Sequence, residues 1–159
     1  MAQIHPWLAL GVAASTAATD AVYVMFNAAV FGLAGLPLYF GPNGNANAID
    51  FWSNYANRPN WVEIRSAWAA PGQRGMPEPG DMMVWYEDFA PLEGHIAVVV
   101  AVTPPTANTS GSLVFAEANG PGPLVRETIS PDLTVNTWAG GQVIGFIRYV
   151  GPPVTGSSG

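Results

Sequence analysis

The chain has no cysteine and no lysine. Without cysteine there is no disulfide framework, no thiolate metal site and no residue on which thiol chemistry could run. Without lysine, eleven acids face five arginines for a net charge of −6, so no basic stripe exists to neutralise phosphates and no nucleic-acid partner is expected. Charge of either sign is scarce, at 10% of residues, so Asn, Ser, Thr, Gly and Pro must finish the surface. A convincing membrane segment is also lacking. Positions 21–40, AVYVMFNAAVFGLAGLPLYF, are uncharged and long enough to span a bilayer. Asn27, Gly32, Gly35 and Pro37 interrupt them, however, and no basic residue flanks them. Val22, Met25, Phe26 and Ala29 recur at helical spacing, which predicts a buried helix instead. The first twenty residues hold small residues suited to signal cleavage but no positive segment, so no secretory signal is expected.

What is present fits one domain over 1–150, in a chain of 159 residues of which 49% are hydrophobic. A helix is predicted over 15–34: Ser15 or Thr16 can cap it, Asp20 suits its positive end, and Gly32, Gly35 and Pro37 close it. Positions 45–54 predict a second, short helix, whereas Trp61 to Trp68 is ambiguous. After the turn Pro77-Glu78-Pro79-Gly80, strands are predicted over 82–86, 96–103, 112–118, 124–129 and 143–149. The second of these is a valine-rich run suited to a central strand. The expectation is an α+β fold, a helix first and then about five antiparallel strands. Positions 151–159 lack apolar periodicity and read as a linker-like tail.

Candidate chemistry gathers around His95, one of only two histidines, which follows Gly94 at the start of the valine-rich strand. Glu117 and Asn119 are two apart, so both point to one face of their strand. If that strand pairs with the one carrying His95, either side chain can hold one imidazole nitrogen and fix the tautomer that acts as a base. A lone histidine before an apolar strand is also a common structural group, and Glu-x-Asn is also turn chemistry. Trp85 and Tyr86 end the first strand and either stack on a sugar or peptide ligand or pack into the core. Glu87, Asp88 and Glu93 shape a loop before His95; no Asp-x-Asp-x-Asp-Gly run is present, so neither a metal nor another cofactor is expected.

The succession PEPGDMMVW, GHIAVVVAV, FAEANG and GFIRYV, with GNANAIDFW before it, resembles a CHAP domain, the cysteine- and histidine-dependent amidohydrolase/peptidase family of peptidoglycan-cleaving proteins. The resemblance implies a papain-like, NlpC-type fold with the N-terminal helix packed on the sheet. It also implies His95 as general acid and base, oriented by Glu117 and Asn119. In that family a cysteine stands at the start of the first helix, where the helix dipole and an imidazolium stabilise its thiolate. Ala17-Ala18-Thr19-Asp20 matches that register, which puts Ala18 at the nucleophile's place and Asp20 at the acid that follows it, beside the substrate. The implied protein is a phage endolysin or virion-associated lysin, inactivated at its nucleophile. It would be a monomer acting at the host cell wall, with peptidoglycan as partner and a wall-binding domain possible beyond the tail. A non-catalytic peptidoglycan-binding or phage-tail module is the alternative.

Overall fold

The computed structural model describes residues 27, 30–36, 39, 47–89, 91, 93–117, 122–137 and 140–153. The expected helix over 15–34 lies largely outside them; Asn27 and residues 30–33 are helical. Helix α1, Ala48–Tyr55, overlaps the second predicted helix, starting three residues later and ending one residue later. Six strands follow: β1 Trp61–Arg65, β2 Met82–Glu87, β3 His95–Thr103, β4 Gly111–Ala116, β5 Leu124–Ile129 and β6 Gly141–Tyr149.

All six strands join one antiparallel sheet in the order β1-β6-β2-β3-β4-β5. The expectation of about five strands is thereby corrected, because the ambiguous stretch after Trp61 forms the edge strand β1 against β6. Its sequence, WVEIR, alternates apolar and charged residues too briefly to separate a strand from a helical turn. Only long-range pairing with Arg148, Ile147 and Phe146 decides it.

Both faces of the central strands are covered, which is why β3 could be written as a nearly continuous apolar run. On one face Met82, Val84, Ile96, Val98, Val100, Ile144 and Ile147 meet Val30, Phe31, Ala48, Phe51 and Tyr55. Val30 and Phe31 come from the long uncharged stretch, and their place in this core is what the buried-helix reading of that stretch requires. No helix among the described residues is long and apolar enough to cross a membrane.

On the other face Met83, Trp85, Ala97, Val99, Leu113, Phe115, Val143 and Phe146 pack with Ile129 and Val135. The sheet coils over this second core, because the segment after β5 reaches back to the segment after β1. Ser66 Oγ donates to the Leu133 carbonyl, and Arg74 Nη1 bonds both Asp132 Oδ2 and Thr134 Oγ1 at 2.8 Å.

The turn before β2 is fixed by an ion pair. Asp81 is 1% exposed and accepts two 2.8 Å bonds from Arg148 on β6 and a third from the Glu78 N–H. A bidentate guanidinium and a backbone donor satisfy a carboxylate that burial alone would penalise. The pair locks the start of β2 to β6, and β2 in turn carries the register of β3.

Candidate active site

The site begins with strand register. Trp85 and His95 are directly paired across β2 and β3, and their rings lie 5.2 Å apart, tilted at 59°. Trp85 is fully buried and meets Phe115 edge-on at 5.1 Å. It forms the floor beneath the imidazole and presents no face to a ligand, which corrects the expectation that it stacks on substrate. An indole of that size at a central strand position contributes more free energy by burial than it could at a rim.

Gly94 sets the backbone before the histidine. Its φ is +63°, and a Cβ there would lie 2.5 Å from the Trp85 carbonyl oxygen and 3.1 Å from Ile49 Cβ. The start of α1 therefore docks against the residue preceding His95, and the Ile49 N–H donates to the Glu93 carbonyl at 2.9 Å. A glycine is required both by the left-handed conformation and by this close approach.

From β4, which pairs with β3 through Val98 to Ala116 and Val99 to Phe115, the chain continues into Glu117. Its carboxylate accepts from His95 Nε2 at 2.5 Å. Both groups are covered, the imidazole side chain being 10% exposed and the carboxylate 4%. Because an ionised carboxylate only accepts, Nε2 is the donor in this contact. The low dielectric of the surroundings strengthens the contact and holds the ring's orientation.

The two expected partners, His95 and Glu117, are thus brought together, and the strand pairing that would unite them is present. Asn119, Ala18 and Asp20 lie outside the described residues. Tyr86 is half-buried, on the opposite strand face from Trp85, and its ring meets the exposed Trp68 at 5.4 Å. The Trp68 indole N–H donates to Gln142 Oε1 at 2.8 Å. Trp68 was not singled out from sequence, and its ambiguous segment gave no signal that it would sit beside Tyr86. Among the described residues no group of three or more His, Asp or Glu side chains is arranged to hold a metal ion.

A second acid stands close to this pair. Glu87, at the end of β2, has its carboxyl pushed above the ordinary glutamate value by burial, with Glu93 and Glu117 adding to the rise and His95 opposing it. Sequence analysis placed it in the acidic loop before His95; only the two-residue strand repeat from Trp85 puts it on the imidazole's side of the sheet.

An imidazole is thus held through one nitrogen by a buried carboxylate at the end of an antiparallel sheet. The CHAP domain family model matches residues 12–119, and the chain belongs to that family. The match carries a peptidoglycan hydrolase-type function with peptidoglycan as the substrate class. Comparison with curated proteins and with solved structures gives no significant match.

Proposed function

We propose that this chain is the wall-binding groove and acid–base machinery of a peptidoglycan amidase or endopeptidase, with Ala18 at the place of the nucleophile. The observation that carries the proposal is the 2.5 Å contact between His95 Nε2 and Glu117, which fixes the orientation of the imidazole. The family match spans position 18, and the reading of Ala18 at the nucleophile's place rests on the resemblance of Ala17-Ala18-Thr19-Asp20 to the family's motif. A methyl group neither ionises nor attacks an amide, so the chain binds the peptide portion of the wall without cutting it. A phage endolysin or virion-associated lysin acting at the host cell wall is the context proposed for it. Tyr86 and Trp68 offer an aromatic ledge suited to a sugar face.

With a thiol at position 18, His95 would take its proton through Nδ1 and the thiolate would attack the amide carbonyl. The imidazolium would then protonate the leaving amine, and water would release the acyl group. Glu117 holds the ring throughout and stabilises its positive charge.

Ala18→Cys tests this directly. The variant is expected to clear a suspension of purified peptidoglycan sacculi, and His95→Ala in the same background is expected to abolish the clearing. Mass analysis of the released fragments separates cleavage at the glycan–peptide amide from cleavage within the peptide. A folded Ala18→Cys protein that binds sacculi and releases nothing would instead mark the chain as a non-catalytic wall-binding or tail module.

A further inference from the structure

One carboxylate beside the acid–base pair has no part in it. Glu87 lies two residues past Trp85 on β2, hence on the strand face that carries Trp85 and His95. It is 9% exposed, yet no hydrogen bond or ion pair to a described residue holds it. Its electrostatic neighbours are His95, Glu93 and Glu117, and Glu117 in turn faces Glu127 on β5. This end of the sheet therefore collects four glutamates.

No arginine compensates them. Arg58 lies over the Tyr39 ring, Arg65 is beside Glu63, and Arg74 is bound to Asp132. Arg126 bonds Ser112, and Arg148 is held by Asp81 and Glu78. With no lysine in the chain, no basic side chain among the described residues other than the imidazole itself is placed beside them. A carboxylate on a largely buried side chain with no cationic partner gains more from a ligand cation than a fully solvated one does.

Resting on the peptidoglycan reading above, we infer that Glu87 receives a primary ammonium group of the peptide portion of the substrate, next to the amide presented to His95. The site then selects peptides that carry a free amine over peptides whose amines are acylated. Glu93 and Glu127, farther out, draw the same cation inward without touching it. The selectivity belongs to binding and does not depend on the residue at position 18.

The chain can accordingly be tested as it stands, by calorimetric titration with the synthetic peptide L-alanyl-γ-D-glutamyl-L-lysyl-D-alanine. One form has both amines free and the other has both acetylated. The free form is expected to bind about tenfold more tightly, the size of one charge-assisted hydrogen bond, and Glu87→Gln is expected to erase that preference. Glu93→Gln, an exposed change, should leave most of it. Should Glu87→Gln fail to fold, Glu87→Asp, which keeps the charge and withdraws it by one methylene, is expected to shrink the preference. Equal binding of the two forms, or a preference that survives substitution of Glu87, overturns the inference. Binding of sacculi with neither peptide bound overturns it while sparing the peptidoglycan reading; binding of neither peptide nor sacculi ends both.

Discussion

At the scale of single residues, the imidazole and its carboxylate are a unit whose value lies in orientation. Glu117 is 5% exposed and its oxygen sits 2.5 Å from His95 Nε2, so replacing it removes a buried, charge-assisted acceptor. In the Ala18→Cys background, Glu117→Gln is expected to lower kcat on the order of 10²- to 10⁴-fold, because an amide can present N–H to the ring and turn it away from the nucleophile. KM should change far less, since the carboxylate touches the histidine and no substrate. Steady-state kinetics on solubilised wall fragments checks this, and an unchanged kcat would remove Glu117 from the machinery. This pair was legible in the sequence because Glu117 lies on the strand predicted beside the one that His95 opens, and register did the rest. Trp85 was not legible in the same way. Strand propensity identifies an aromatic at a strand end, but whether its ring meets solvent or the next layer depends on Phe115, thirty residues on.

At the scale of elements, the histidine is positioned by a contact between a strand end and a helix start. Gly94 lets α1 approach β3, with Ile49 and the Trp85 carbonyl filling the space that any side chain would need. Gly94→Ala must therefore adopt an unfavourable φ and push α1 or β2 aside. The expected cost is about 1–3 kcal/mol of stability, read from the urea midpoint. A parallel loss of turnover in the Ala18→Cys background is expected, because residue 94 directly precedes the imidazole at the start of β3. An unshifted midpoint would show that α1 and β3 are not coupled at this residue. Elements made of long, strongly patterned runs, such as β3 with its four valines and β6, could be read directly from the sequence. Strand β1 could not, since five residues of mixed pattern become a strand only through β6, more than eighty positions away. The coil of the sheet was equally hidden, because it depends on Arg74 meeting Asp132 and Thr134 across a long stretch of chain.

At the scale of the whole molecule, the shortage of cations that composition announced becomes a pH dependence. Glu63, Glu87 and Glu127 all have carboxyls raised by burial, and the acids outnumber the arginines by eleven to five. A carboxyl raised in the folded state binds its proton more tightly there than in the unfolded chain, so its stabilising contribution is full below the ordinary glutamate value. That contribution is lost as pH rises through the folded value. Asp132, lowered by its bonds to Thr134 and Arg74, has the opposite sign; its stabilisation is present above the ordinary aspartate value and is lost only in stronger acid. Between about pH 5 and 7.5 the three glutamates therefore set the slope together with Asp81, whose carboxyl burial also raises against its bonds to Arg148, and the growing net negative charge acts in the same direction. Each of the three is partly solvated, which keeps their sum near 1 kcal/mol, so the thermal midpoint is expected to lie about 2–4 °C higher at pH 5 than at pH 7.5. Replacing Glu63 and Glu127 together by Gln should flatten the difference. Scanning calorimetry across the pH range decides it. A midpoint that rises toward pH 7.5 would mean that cations supplied by solvent or by paired arginines, and not burial, govern these carboxyls.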